Sequence, residues 1–491
     1  MTAFSNTSKT SNQMRQDLTA LLGPDQCLFA LEDRWTYAFD AGGDRAVPLA
    51  VVFAHTPDDV CNVMQYAAAR RIPVVPRGAG SGLTGGAVPA MGGIVLVLER
   101  MNRILEIDTD NLCATVETGV ITGTLQKAVE KKGLFYPPDP ASAGFSTIGG
   151  NIAENAGGMR AAKYGVTKQY VLGLEVVLPD GRRVTLGSKC IKDVVGYSMT
   201  ELFVGSEGTL GVITQAIVRL VPLPKTIKTL AVSFPDIQAA GQVVPMLLKT
   251  GVTPCTLEFI DRFCLQAVRK TGLSDPVASL ISPDTGAMLL IELDGDEDAV
   301  AKEAATVRQI CGQCGATGIH SARNPAEREQ LWEVRRSIHG ALAGLCTHWL
   351  EEDIAVPPAS IPDMLEKLAA LALKQNLRIL SFGHFADGNI HLSVSEAAGP
   401  LSPQRAGEVT HQIFSLTKVL GGRIAAEHGI GLAKKEYLSV NLDDDTLDLA
   451  LQLKKMLDPS GILNPGKIFP THDHQPGNPD AANGVYPPGI I

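Results

Sequence analysis

Between residues 50 and 77 the spacing of apolar positions changes twice. The run AVVFA is unbroken, as in a buried strand, whereas VCNVMQYAAARR spaces its apolar residues three and four apart, as a helix does. Thr56-Pro57-Asp58-Asp59 stands at the junction and supplies an N-cap followed by Pro at the first helical position. IPVVPR closes the unit, so strand–helix–strand is predicted. Glycine then becomes dense in three segments, GAGSGLTGGAVPAMGG (78–93), STIGGNIAENAGG (146–158) and VGSEGTLGVIT (204–214). Between them GIVLVLE reads as a strand and GLEVVLPDGRRVTLG as a hairpin across Asp180-Gly181.

After VRLVPLPK (218–225) the pattern changes, and a domain boundary is predicted there. Strand and helix signals then alternate: LAVSF, DIQAAGQVVPMLLKTG and TLEFI; AMLLIEL, EDAVAKEAATVRQICGQ and a short strand near Gly318. DIAVP, the helix IPDMLEKLAALALKQN and the hairpin SFGHFADGNIHLSV follow. An antiparallel sheet with helices on one face, an α+β domain, is expected. LDLALQLKKMLDPSGILNPGKIF reads as an amphipathic helix and turn, and the last twenty residues as a tail in which His472 and His474 are solvated. The expected division is a helical lead-in (1–45), a first domain (46–225), a second (226–440), a returning helix and turn (441–470) and the tail (471–491).

A chain of 491 residues is too long for one ordinary core. Its net charge of −9 argues against nucleic-acid binding, which leaves a basic footprint. No apolar run approaches the ~18 residues of a spanning helix, and the first residues are polar without the apolar region of a secretory signal. A cytoplasmic protein is expected. The nine cysteines are scattered, as reduced thiols are; only Cys311 and Cys314 form a C-x-x-C, read as a loop with two buried thiols. No run of cysteines suits an iron–sulfur cluster.

Gly80-Ser81-Gly82-Leu83-Thr84-Gly85 matches G-x-G-x-x-G after a strand, and Glu99 follows about twenty residues on. That fingerprint requires a helix to begin at the loop. Residues 87–93 contain a Pro and two Gly and run straight into another strand, which excludes a Rossmann site. What remains is bare backbone amides able to wrap a pyrophosphate, because glycine permits close approach and positive φ. Three such loops within about 140 residues point to a cofactor cradle rather than to ordinary turns.

The segments VVPRGAGSGLTGGAVP, PPDPAS, STIGGNIAENAGGMRAAKYGVT, LFVGSEGTLGVIT, GHFADGNIH, AAEHGIG and LNPGKIF occur in order. Over residues 35–470 the chain resembles the FAD-linked D-2-hydroxyacid dehydrogenases: the glycolate oxidase catalytic subunit, flavin-linked D-lactate dehydrogenase and D-2-hydroxyglutarate dehydrogenase, within the vanillyl-alcohol-oxidase superfamily. The resemblance implies an α+β architecture: a two-subdomain FAD-binding domain, an antiparallel-sheet cap domain for substrate, and a C-terminal segment returning to the first. It implies that Pro76, Arg77, Gly78, Ala79, Gly80, Ser81, Gly82, Thr84, Gly85 and Gly86 hold the pyrophosphate. Pro138, Asp139, Ser142, Gly149, Gly150, Asn151, Asn155, Gly158, Tyr164 and Gly165 would line the rest, and Glu207, Gly208 and Ile213 the adenine and ribose end. Asn464 and Lys467 would return toward the flavin. Ser81 stands where many relatives in the wider superfamily tether the flavin through a histidine, so non-covalent FAD is expected.

The hairpin adds candidate chemistry. With Asp387-Gly388 as a two-residue loop, His384 would face His391 with Cβ atoms about 4.5–5.5 Å apart, close enough to chelate one ion. A structural pair remains an equal alternative. RIAAEHGIG offers Glu427 after a short strand as a third ligand, and two His with a carboxylate suit Zn²⁺, Fe²⁺ or Mn²⁺; the alternative is that Glu427 pairs with a cation. The resemblance gives the metal these same three positions. His428 is the candidate base for the substrate hydroxyl, since imidazole titrates near working pH. In LWEVRRSI the family match falls on Arg335 as the fork for the substrate carboxylate. The 2-hydroxyglutarate enzymes carry a lysine two residues before the Asp of the DIAVP strand; here that position is Glu351, which favours D-lactate or glycolate over a dicarboxylate.

The expected activity is therefore FAD-dependent oxidation of a small D-2-hydroxy acid. The alternatives are D-2-hydroxyglutarate oxidation, a metal-dependent hydrolase without flavin, a flavin subunit without catalysis of its own, and an oxidase or alkyl-dihydroxyacetone-phosphate synthase. Reduced flavin needs an electron-accepting partner: an iron–sulfur subunit, an electron-transfer flavoprotein, a cytochrome or quinone, the last reached at the inner-membrane surface. Self-association into a homo-oligomer is compatible with the sequence.

Overall fold

The computed structural model describes residues 2–270, 281–346 and 348–470, with side chains from Asn12 onward. His472 and His474 lie outside the described residues. The chain forms two compact units. Among the described residues, the first comprises 2–224, 427–436 and 442–469; the second comprises 225–426, 437–441 and Pro470.

The first unit begins with helix α1 (Thr2–Leu22) and strand β1 (Cys27–Leu28). The strand–helix–strand pattern folds as β2 (Ala50–Phe53), α2 (Pro57–Arg70) and β3 (Val74–Arg77), joined by β4 (Ile94–Val97). β1 runs antiparallel to β2, whereas β2 and β3 flank β4 in parallel, giving the order β1-β2-β4-β3. Every residue of β2 and β4 is buried, as a parallel sheet covered on both faces requires. Thr56 caps α2 in a reciprocal box: its side chain accepts from Asp59 N and Asp59 accepts from Thr56 N.

A second, antiparallel sheet follows: β5 (Ile104–Asp108), β6 (Cys113–Glu117), β7 (Val171–Val177), β8 (Arg183–Gly187) and β9 (Val212–Arg219), in the order β5-β6-β9-β7-β8. The short helix α3 (Ile148–Glu154) buries Ile148 and Ile152 in this sheet's core.

The second unit is built on a seven-stranded sheet. Its strands are β10 (Thr226–Phe234), β11 (Thr256–Asp261), β12 (Ala287–Gly295), β13 (Gly318–Ser321), β14 (Leu350–Ala355), β15 (Leu377–His384) and β16 (Asn389–Glu396). The order is β13-β10-β12-β11-β15-β16-β14, antiparallel throughout. Register divides the residues into two faces of different chemistry. One face carries Leu257, Phe259, Leu289, Ile291, Ile390 and Leu392, all buried. The other carries Thr229, Glu258, Glu292, His384, His391 and Asp353.

Helices do not keep to one face of this sheet. Helix α4 (Pro325–Arg336) lies over the polar face, and its Arg328, Trp332 and Arg335, four and three apart, reach down to it. Arg328 donates two bonds of 2.8 Å to Glu292, and Trp332 Nε1 and Thr229 Oγ1 complete that carboxylate's shell at 3.0 and 2.7 Å. A sheet face bearing buried carboxylates requires cations above it, and an arginine-bearing helix supplies them. Two smaller departures are local. Cys311 lies within the helix Glu297–Gln313 and Cys314 caps it, rather than both lying in a loop. The segment before Glu427 makes one isolated bridge, Ala355 to Arg423, rather than a strand. Among the described residues, no helix is long and apolar enough to cross a membrane.

Glu292→Ala should cost about 3 kcal/mol or more of unfolding free energy, because Arg328 and Trp332 Nε1 lose their buried acceptor. Chemical denaturation checks this; a loss below about 1 kcal/mol would contradict it.

Candidate active site

In the second unit the polar sheet face concentrates on one row. Residues 385–388 form a four-residue turn instead of a two-residue loop, and His391 pairs with Phe382 rather than with His384. Phe385 accounts for the difference. Its ring is fully buried and stacks on Phe259 at 4.1 Å, and its N–H donates to Leu257 O, which draws it out of the hairpin pairing. The slip is two residues, so side-chain parity is preserved and both histidines stay on the same face. They become diagonal neighbours with ring centroids 5.2 Å apart and planes at 89°.

Each histidine has a carboxylate as its direct cross-strand partner. Glu258 on β11 is opposite His384 and Asp353 on β14 is opposite His391. Glu258 Oε1 lies 2.5 Å from His384 Nδ1, and Asp353 Oδ1 lies 3.3 Å from His391 Nδ1. Both Nδ1 atoms thus face carboxylates, the arrangement in which outer-shell acids orient imidazoles that bind metal through Nε2. Asp353 is itself held by Asn389 Nδ2 at 2.7 Å and by Ala426 N at 3.0 Å. The second unit's main segment ends at Ala426, and the next residues in the chain are Glu427 and His428.

Arg335 Nε donates to Glu258 Oε2 at 2.6 Å, and its guanidinium lies 4.9 Å over the Phe382 ring. Burial alone would push the Glu258 carboxyl up, but His384 and Arg335 outweigh it and hold it at about 2. Glu258 and Asp353 belong to this polar row, and the sequence reading did not identify them as candidates. The signal for Glu258 was a lone acid within the apolar strand TLEFI.

In the first unit the three glycine loops are bonded to one another. Asn464 Nδ2 donates to Gly86 O and Glu207 O at 3.0 and 2.8 Å, tying the first loop to the third. Gly205 N and Glu207 N donate to Ile152 O and Ala153 O, tying the third to the second. A Cβ on Gly78 would run into the Thr147 side chain, so glycine also sets the approach of the first loop to the second. Gly80 has φ +67°, and a Cβ there would meet the Arg77 guanidinium. Pro76 and Arg77 end β3; Ala79, Ser81 and Gly82 continue the loop, with Gly82 O accepting from Ala41 N. Gly85 has φ +81°, and a Cβ there would meet the Leu432 side chain.

The second loop is similarly braced. Thr147 accepts from Gly150 N at 3.2 Å, Gly149 N donates to Thr118 O, and Asn151 Nδ2 donates to Thr122 Oγ1 at 2.5 Å. Asn155 sits at φ +54° and its Oδ1 accepts from Lys168 N. Pro138 O accepts from Gln126, Asp139 bridges to Gly158 and pairs with Arg160, and Ser142 O accepts from Phe145 N. Tyr164 O accepts from Tyr170 before Gly165, and Ile213 O accepts from Thr118 in the sheet beyond Gly208. Lys467 Nζ donates to Val88 O and Asn464 Oδ1, and burial pulls its ammonium down to about 8.

Two buried polar atoms beside the first loop, Arg77 Nε and Asp40 Oδ2, have no hydrogen-bond partner among the described residues. Bare amides, glycines at positive φ and a buried arginine fit an extended anionic group such as the pyrophosphate of a dinucleotide.

Residues 48–187 match the FAD binding domain, and residues 223–468 match the C-terminal domain of FAD linked oxidases. This chain belongs to the FAD-linked oxidase family. It is 41% identical to the glycolate oxidase subunit GlcD of Bacillus subtilis, over 94% of this chain and 97% of that one. It is 35% identical to D-lactate dehydrogenase of Anaerostipes hadrus, over 86% and 90%. Among solved structures, p-cresol methylhydroxylase with substrate bound superposes with a TM-score of 0.74 at 18% identity, over 93% and 96% of the two chains. That likeness carries the fold, which is of the vanillyl-alcohol-oxidase type.

Gly80→Ala should lower the stability of cofactor-free protein by about 1–2 kcal/mol, since a Cβ at positive φ is strained and this one meets Arg77. Denaturant unfolding measures it, and an unchanged midpoint would contradict the backbone requirement.

Proposed function

We propose that this flavoenzyme oxidises a small D-2-hydroxy acid, D-lactate or glycolate, to its 2-oxo acid. The observation that carries the reading is the row Glu258–His384–His391–Asp353 on one sheet face, with Arg335 bound to its first member. The names of the two relatives, a glycolate oxidase subunit and a D-lactate dehydrogenase, support the same substrate class.

FAD, when bound in the first unit without a covalent tether, supplies the acceptor for the hydride that leaves C2. His384, His391 and Glu427 would hold a divalent ion, Zn²⁺ foremost, with Fe²⁺ or Mn²⁺ compatible with the same donors. Such an ion, when bound, would lower the hydroxyl pKa and orient the hydroxy acid. His428 takes the hydroxyl proton. Arg335 spends its Nε on Glu258, which turns the guanidinium so that its η nitrogens meet the substrate carboxylate as a fork. Glu258 therefore orients a metal ligand and the carboxylate-binding arginine at once. Electrons then pass to an electron-accepting partner.

Glu351 pairs in register with Ser393 and accepts a 3.1 Å bond from its hydroxyl, on the same face as Asp353 and His391. A negative charge two residues from Asp353 disfavours a second substrate carboxylate. Glu351→Lys should shift kcat/KM toward D-2-hydroxyglutarate relative to D-lactate by about tenfold or more; an unchanged ratio would remove Glu351 from specificity.

The decisive experiment is anaerobic flavin reduction with D- and L-2-hydroxy acids before and after chelation. D-lactate or glycolate should bleach the flavin, chelator should slow bleaching by about a hundredfold or more, and Zn²⁺ should restore it. Bleaching indifferent to metal removal would overturn the assignment of His384, His391 and Glu427.

A further inference from the structure

The turn that carries Glu427 and His428 has no secondary structure of its own; side chains from the glycine loops hold it. Glu207, in the third loop, accepts from Ile430 N and Gly431 N at 2.8 Å each, one carboxylate oxygen to each amide. Thr84, in the first loop, donates its hydroxyl to His428 O at 3.1 Å, and its carbonyl accepts from Leu432 N at 2.7 Å. The peptide from His428 O to Leu432 N is thus pinned from two loops.

The approach is close enough to dictate residue type. Gly429 has φ +83°, and a Cβ there would collide with Glu154 Oε2 and lie 3.1 Å from Glu207 Oε1. Gly431 has φ +52°, and a Cβ there would collide with the Thr84 carbonyl. Glu207 is itself buried at φ +50°, a region a non-glycine residue occupies only when its surroundings enforce it. Strain at that position is intelligible if the carboxylate is being aimed. Hydrogen bonds from amides to an ionised carboxylate are about twice as strong as neutral ones. Burial first, and then the neighbouring Glu207, push the Glu154 carboxyl well above the usual carboxylate range.

We propose that Glu207 is a positioning residue: its carboxylate, gripping the amides of residues 430 and 431, sets the turn that aims the His428 imidazole. Both carboxylate oxygens are engaged by the turn, which gives Glu207 this task beside the cofactor contact expected from the sequence. The proposal rests on the reading of His428 as the base. It also makes the cofactor loops the scaffold of the base, with Thr84 and Glu207 reaching from the first and third.

The test compares wild type with Glu207→Gln, which keeps size but can accept from only one of the two amides. Hydrogen exchange on the FAD-containing protein should quicken at Ile430 and Gly431 by about tenfold or more, with FAD content unchanged. Flavin reduction by D-lactate should slow by about tenfold or more while the Kd for D-lactate moves less than about threefold, the signature of misaligned chemistry rather than lost binding. Thr84→Val, which frees His428 O, should change both readouts in the same direction and serves if Glu207→Gln does not fold. Unchanged exchange and reduction would overturn the proposal, as would loss of FAD with exchange unchanged, which would make Glu207 a cofactor ligand. His428→Asn separates the two claims. If that variant reduces flavin at the wild-type rate, the base assignment fails, while faster exchange in Glu207→Gln still supports the clamp.

Discussion

The second unit depends on one buried anion. Glu258 has no exposed side-chain surface, and in an apolar strand a lone carboxylate would be expelled or protonated. It stays ionised because His384 and Arg335 meet its two oxygens from opposite sides, one from the next strand and one from the helix above. The same contacts that make the charge tolerable fix the orientation of a ring nitrogen and of a guanidinium. Stability and preorganisation are here the same interaction, since removing either partner would strand the carboxylate.

The first unit solves a related problem with backbone instead of side chains. Its glycine loops offer amides and space, and they are locked together by Asn464, by carbonyls at residues 152 and 153, and by the close approach of Gly78 to Thr147. Such a cradle is rigid before any anion arrives, which reduces the ordering cost of binding. Thr84 and Glu207 extend from this cradle to the turn of His428, the proposed base, and tie that turn to the same loops.

Local signals were legible where one interaction decides the outcome. Thr56-Pro57 announced the start of a helix, and the density of glycine announced the loops, because capping and positive φ are written in single residues. The hairpin register was not legible. Counting from Asp387-Gly388 ignored Phe385, whose stacking on Phe259 comes from a strand some 125 residues away in sequence. The face of the histidines survived because the error was even. Glu258 and Asp353 were missed for the same reason: what makes them part of the site is cross-strand register, which sequence spacing does not encode. The covering of both sheet faces was likewise decided by Glu292 and Glu258 needing arginines, not by the helical period of the segment that brings them.

Under the proposed function the imidazoles of His384, bonded to Glu258, and of His391, beside Asp353, would bind a metal that in turn would bind the hydroxy acid. X-ray absorption at the zinc edge of reconstituted enzyme tests this most directly. Two imidazole nitrogens at about 2.0–2.1 Å, with oxygen ligands that change on adding D-lactate anaerobically, are predicted. A spectrum without imidazole scattering, or one indifferent to D-lactate, would contradict it.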